Sequence, residues 1–284
     1  MIYIPFLGAL ALGAGTILEK ITLKDKKLDI KLYQTAGFLA IVLAIIPFLL
    51  FSWKITPEAY SIKNLLILLG LVLVSIIANM LVFYSIKGEK VTALQPTRAL
   101  EPMLTILLSL IFGLFISGVY EGISGKILIP ALIASFAVVF PHIRKEHLRM
   151  NKYLVSSIIG SFFFALELVM SKLILDYYSP ITFYFFRCLL IFFISFIIFR
   201  PNFDKLDRKS AGLILITGLV WVVYRVAIYF GYMKYGIIFT TLITLMAPVL
   251  VYFLAHVFLK EKPNWKNILS SIIIVCCVLY SVLT

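Results

Sequence analysis

Long apolar runs alternate with short polar gaps along the whole chain. Ten runs approach or exceed the roughly 20 residues that a helix needs to cross a bilayer core. They are 2–19, 33–53, 64–86, 91–114, 126–141, 153–175, 181–199, 211–233, 237–259 and 267–283. Gly, Pro, Lys or Asp punctuates nearly every gap. The many Ile, Val and Phe residues favour strands, but runs of this length exceed the roughly ten residues of a membrane strand. The pattern predicts an all-α integral membrane protein with ten transmembrane helices. The fifth run is the shortest, and Gly122–Gly125 reads as the turn before it.

The apolar pattern repeats. A shift of 146 positions lays Pro102 on Pro248, Phe83 on Tyr229 and Asn79 on Arg225, with Leu81–Leu100 over Ala227–Met246. The first helices match with a slightly different shift, which lays Gly8 on Gly160 and Lys20 on Lys172. The chain therefore divides into two five-helix repeats, 1–145 and 146–284. An odd number of helices per repeat inverts the second against the first. Inverted repeats are a common plan of secondary transporters, with the site at the repeat interface near the midplane.

Composition agrees with the pattern. Of 284 residues 62 % are hydrophobic and 14 % charged, with a mean hydropathy of +1.07, whereas a soluble chain carries about 25 % charged residues. The net charge of +13 does not point to nucleic acid, because the basic residues sit in short gaps between apolar runs. They report topology instead. The odd-numbered gaps hold 18 Lys and Arg, from Lys20 through Lys266, against five in the even-numbered gaps and around them: Lys54, Lys63, Lys126, Lys172 and Lys234. The positive-inside rule then places the odd gaps in the cytoplasm and both termini outside a cell membrane. The start, apolar from Ile2 to Leu18 without a basic leader, reads as a retained helix.

Metal and redox chemistry find little support. Cys188, Cys276 and Cys277 lie in apolar runs and read as small hydrophobes. His142, His147 and His256 form no metal-ligand pattern. No metal, no cofactor and no nucleotide-binding loop is expected, and the chain does not read as an enzyme.

The chemistry concentrates in charges inside the apolar runs. In Val91–Gly113, Arg98 and Glu101 are three residues apart, so they share a helix face, and Pro96 and Pro102 bracket them. A charge at membrane depth is costly unless it is paired or faces a wet cavity, and proline loosens the helix around it. Either a structural pair or a polar binding site satisfies these residues. Arg225 lies in Trp221-Val-Val-Tyr-Arg, with Tyr224 beside it and Tyr229 one turn on. A guanidinium there suits a carboxylate or another anion, through a bidentate fork and neighbouring rings; an internal pair with Glu167 or Glu101 is the alternative. Glu167, mid-way along the sixth run, is either that partner or a proton carrier. Arg187 reads as an edge residue that snorkels toward headgroups, and Glu19 and Lys20 as interface anchors. Gly8, Gly13, Gly15 and Gly160 read as close-packing positions.

The ninth and tenth runs carry Ala247-Pro-Val-Leu-Val-Tyr, Phe258-Leu-Lys-Glu-Lys-Pro263 and Ile268–Tyr280. With ten helices in two repeats, these stretches resemble the EamA-type members of the drug/metabolite transporter superfamily, and the resemblance implies a transporter over the whole chain. Arg98-Ala-Leu-Glu-Pro-Met, continuing to Ser109, is also similar to the basic-x-x-Glu-Pro stretch of triose-phosphate and nucleotide-sugar translocators. That likeness implies an anion contact for Arg98. Where those translocators have a second basic cluster, this chain has Thr240, Thr241 and Thr244. The resemblance also implies cytoplasmic termini, against the charge bias.

These readings converge on a secondary transporter of a small polar or amphipathic metabolite, with a zwitterion or an anion favoured. The expected substrate site comprises Arg98, Glu101, Glu167, Tyr224, Arg225, Thr240, Thr241 and Thr244, with helix breaks at Pro96, Pro102 and Pro248. A headgroup or lipid-linked-intermediate translocase and a non-transporting scaffold are the alternatives. The expected partners are the bilayer and a small substrate, and a homodimer stays open.

Overall fold

The computed structural model describes residues 3–25, 28–98, 100–116, 125–139, 151–259 and 265–283. Gly122 and Glu121, most of the Arg144–Lys152 gap, Lys260 and Lys262 lie outside the described residues. Among the described residues the chain is helical, with no strand and one isolated bridge between Ile55 and Tyr178.

Among the described residues twelve helical segments follow one another, beginning with α1 (Tyr3–Leu23), α2 (Ile30–Ser52) and α3 (Ile62–Gly88). Next come α4 (Val91–Arg98), α5 (Leu100–Phe115), α6 (Gly125–Val139) and α7 (Lys152–Leu175). The last five are α8 (Pro180–Phe199), α9 (Arg208–Tyr235), α10 (Ile237–Thr244), α11 (Met246–Leu259) and α12 (Trp265–Leu283). Six of them, α1, α2, α3, α7, α8 and α9, are long and apolar enough to cross a membrane.

Short polar side chains start the helices by taking up backbone donors left open in the first turn. Asp29 accepts from Ile30 N at 2.7 Å, Asn151 from Leu154 N at 2.9 Å and Asp207 from Ser210 N at 3.0 Å. Ser179 caps α8, whose first residue is Pro180, which has no N–H to satisfy. Gly236, at φ +82°, turns α9 into α10, a conformation that glycine adopts without Cβ strain.

The ninth apolar run, expected as a single helix over 237–259, is split in two. Proline explains where: Pro248 has no N–H for the carbonyl of Thr244, and α10 ends there. At the break the Leu245 N–H turns back to the Thr241 and Leu242 carbonyls, at 3.1 and 3.2 Å. In the fourth run Ala99, between α4 and α5, lies outside the described residues.

The helices pair between the two ends of the sequence. α1 packs on α9 and α11, α2 on α8 and α9, α3 and α5 on α7, and α6 on α12. Small residues make the closest approaches. A Cβ on Gly8 would sit 3.2 Å from Ala227 Cβ, and one on Gly218 would sit 3.2 Å from the backbone of Ala40 and Ile41. Large apolar side chains such as Phe51, Leu50, Leu114, Phe115 and Ile62 point outward, while Ser, Thr, Asn and charged groups are buried between helices. This arrangement inverts that of a soluble protein and matches a lipid surround.

Candidate functional site

The centre of the bundle holds an Arg–Glu–Arg triad. Glu167 of α7 is 0 % exposed, Arg187 of α8 2 % and Arg225 of α9 6 %. Arg187 Nε lies 3.1 Å from Glu167 Oε1, and Arg225 Nη1 lies 3.2 Å from Oε2. The second contact is ionic but is not aligned as a hydrogen bond, which leaves both of its atoms without a hydrogen-bond partner among the described residues. Ser171 Oγ and Tyr229 Oη donate to Glu167 Oε1, at 3.0 and 3.3 Å. Arg187 also donates from Nε and Nη2 to Ser75 Oγ of α3, at 3.2 and 3.0 Å. The Arg225 guanidinium lies over Tyr224 and Phe164, and that of Arg187 over Tyr184. A buried carboxylate with one cation would be neutralised; with two it carries a surplus positive charge toward its surroundings.

That surplus faces a cavity of about 700 Å³. Arg187 and Arg225 line it, with Arg98, Glu101, Glu19 and Gln34 among its other polar groups and Tyr33, Phe83, Trp221 and Tyr224 among its rings. A second cavity of about 600 Å³ lies against Thr16, Pro102, Thr241, Thr244 and Pro248. Leu12, Arg98, Glu101 and Tyr224 line both cavities and so form the wall they share. Arg98 is held there by a 3.2 Å hydrogen bond from Nη1 to Thr16 Oγ1 of α1.

The residues singled out in the sequence thus divide. Arg98, Glu101, Tyr224 and Arg225 line the larger cavity, and Thr241 and Thr244 line the smaller. Glu167 lines neither and stands behind the two arginines. Thr240 is fully buried and donates to the Gly236 carbonyl at 2.8 Å, packed against Gly231. Pro102 and Pro248 border the smaller cavity, and the Pro96 side chain lies outside the described residues.

Two expectations fail. Arg187 does not snorkel to an edge but is an ion-paired member of the central triad. Its depth is the signal that could have found it: it sits seven residues, about 10 Å of helix rise, inside α8. Glu19 is not an interface anchor either. It is 3 % exposed and lines the cavity, while its neighbour Lys20 turns the other way to donate to the carbonyls of Ile86, at 2.6 Å, and Glu89. Gln34, Tyr33 and Asn79 were not singled out; a lone polar residue in an apolar run carries no sign of the face it occupies.

Comparison with known proteins gives a family and a fold. The sequence model of the EamA-like transporter family matches residues 1–119 and 151–283. No curated protein matches the chain. One solved structure, a crystal structure of a protein at 15 % identity, superposes with a TM-score of 0.67 and covers 99 % of this chain and 96 % of its own. At that identity the likeness speaks to the fold.

Proposed function

The chain belongs to the EamA-like transporter family, and from that premise we propose that it is a secondary transporter of a small polar or amphipathic metabolite, zwitterionic or anionic, working by alternating access. The observation that carries this reading is the 700 Å³ cavity with two arginines of the triad in its wall. Its guanidiniums suit an anionic group.

The inverted-repeat reading draws support from the helix pairing. Under the correspondence of α1 with α7, α2 with α8, α3 with α9, α5 with α11 and α6 with α12, the pair α1–α9 maps onto α7–α3, and α1–α11 onto α7–α5. The pairs α2–α8 and α6–α12 map onto themselves, as at an axis in the membrane plane. Pro102 and Pro248 are related by the 146-residue shift, and the helix broken before Pro248 borders the smaller cavity, as broken helices commonly border transporter sites. In this reading Arg98, Glu101, Tyr224 and Arg225 contact the substrate, Thr241 and Thr244 line its onward path, and Glu167 and Thr240 position their neighbours. The odd-numbered gaps face the cytoplasm of a plasma membrane, following the basic-residue bias.

The test is a thermal-shift screen of the detergent-solubilised protein against amino acids, sugar phosphates, nucleotide sugars and cations, since a ligand of the folded state raises its stability. Responding compounds are then followed as flux into proteoliposomes. Arg225→Gln should keep the fold, because Arg187 still neutralises Glu167, and should abolish flux. A folded Arg225→Gln protein that transports normally overturns the assignment.

A further inference from the structure

We propose that the larger cavity takes a two-ended ligand: an anionic group at one end, a cationic hydrogen-bond donor at the other, and an apolar body about two helical turns long between them. This rests on the reading of that cavity as the substrate site and adds the ligand's class.

Two buried acceptor atoms on the cavity residues lack a hydrogen-bond partner among the described residues: Glu19 Oε2 and Gln34 Oε1. Each belongs to a side chain more than nine-tenths buried. Buried polar atoms are rarely left open without a reason. A ligand that completes them must donate, while the guanidiniums of Arg187 and Arg225, the donors in the cavity wall, suit an anionic group at its other end.

The acceptors and the donors stand apart. Gly8 of α1 abuts Ala227 of α9 and Gly15 abuts Trp221, so the two helices run antiparallel, and Glu19, one turn past Gly15, reaches the level of Thr217. Thr217 precedes Arg225 by eight residues, about 12 Å of helix rise. The second acceptor repeats this spacing on another helix. Gln34 Nε2 donates to Ser195 Oγ of α8 at 3.0 Å, and Ser195 follows Arg187 by eight residues, again about 12 Å. Phe38, Ile41, Val82 and Phe83 give the cavity wall apolar surface for the body of such a ligand.

Charge balance selects a ligand without net charge. The triad and the cavity wall together carry Arg98, Arg187 and Arg225 against Glu19, Glu101 and Glu167. A simple anion or cation would add an uncompensated unit charge to a low-dielectric interior; a bipolar ligand adds none. Arg98 does not close the acceptor end. Its guanidinium is turned to Thr16, and it makes no ion pair with Glu19 among the described residues. An α-zwitterion, with both charges on one carbon, reaches one end or the other but not both.

The test uses the full chain in detergent and four probes: ω-aminooctanoate, its isomer α-aminooctanoate, octanoate and octylamine. The first two share composition and charge and differ in where the amine sits, and the extended ω-isomer holds its charges apart by a distance comparable to that between the cavity ends. The ω-isomer should raise Tm at a concentration about tenfold or more below the others, one lost end contact being worth about that factor. Glu19→Gln should bring the ω-isomer to parity with octanoate and leave the octanoate response in place. Should that variant fail to fold, Gln34→Met makes the same comparison. An α-isomer or an octanoate that matches the ω-isomer on the unaltered protein overturns the proposal, and so does silence from all four probes. A response to other metabolites in the broader screen, with their flux in proteoliposomes, would leave the transport reading standing while the two-ended ligand fell.

Discussion

The two ends of the α2–α8 pair are joined in different ways. At one end the stretch after α2 meets the stretch before α8 through main chain: Thr56 N donates to the Tyr177 carbonyl at 2.9 Å and Ser179 N to the Lys54 carbonyl at 3.1 Å, around the Ile55–Tyr178 bridge. Lys54 N donates to Thr182 Oγ1, and that hydroxyl to the Ser52 carbonyl, both at 3.2 Å. At the other end the stretch before α2 meets the start of α9 through side chains. Ser210 Oγ donates to Asp25 Oδ2 at 3.1 Å, and Phe203 and Leu206 rest on the cluster around Leu28. No backbone hydrogen bond crosses there among the described residues. Each net hydrogen bond contributes about 1 kcal/mol, so the first end is a clasp several such bonds strong, while the described contacts at the second run through side chains. In the alternating-access cycle proposed above the two ends part in turn, and in this conformation they are joined by different kinds of contact.

The largest effect comes from making the clasp permanent. Residues facing each other across an antiparallel bridge have Cα atoms about 4.5–5.5 Å apart, within the range a disulfide spans. The double variant Ile55→Cys, Tyr178→Cys should lose nearly all transport on oxidation and regain it on reduction. Normal flux through the oxidised protein would mean that the clasp never opens and that the comparison carries no mechanism.

Next comes the triad between the two ends. Glu167→Gln removes the one carboxylate shared by Arg187 and Arg225. Breaking a buried ion pair on one side costs about 3–5 kcal/mol, read as a large fall in Tm. Arg225→Gln should cost less, because Glu167 keeps Arg187, Ser171 and Tyr229. Equal losses for the two variants would show that the triad is not asymmetric in the way its geometry suggests.

Much of this frame could be read from the sequence. The ten apolar runs coincide with the described helices to within a few residues, because run length and punctuation are local properties. The split at Thr244 was only half legible: Pro248 marked the region, but the break falls four residues earlier, where the carbonyl loses its donor. Depth in the eighth helix could have marked Arg187 as inward, but which residues Arg187 and Glu19 meet was not legible, since depth along one helix does not reveal which neighbour shares its face. Glu167 stood out as a buried acid, yet its second arginine comes from α8, a contact fixed by packing. The clasp was beyond reach for the same reason: Thr56 and Tyr177 meet through backbone atoms, on which side-chain patterns are silent.

The smallest effect, and the sharpest comparison, lies between two serine hydroxyls at opposite ends. Ser179 Oγ caps α8 by accepting from Thr182 N at 3.2 Å and also reaches across the clasp to the Ser52 carbonyl. Ser210 Oγ makes its cross-contact to Asp25 but caps nothing, since Asp207 already accepts the Ser210 N–H. Ser179→Ala therefore removes a cap, about 0.5–2 kcal/mol, together with a cross-link of about 1 kcal/mol. Ser210→Ala removes a single exchangeable bond of about 1 kcal/mol or less. Tm should fall clearly for the first and barely for the second. Flux should separate them further: the variant at the Asp25 end should transport at the parent rate or faster, because in the proposed cycle that contact parts each time. A Ser210→Ala protein as destabilised as Ser179→Ala would mean that the end around Asp25 is held as firmly as the clasp, and the two faces would then be equivalent in this conformation.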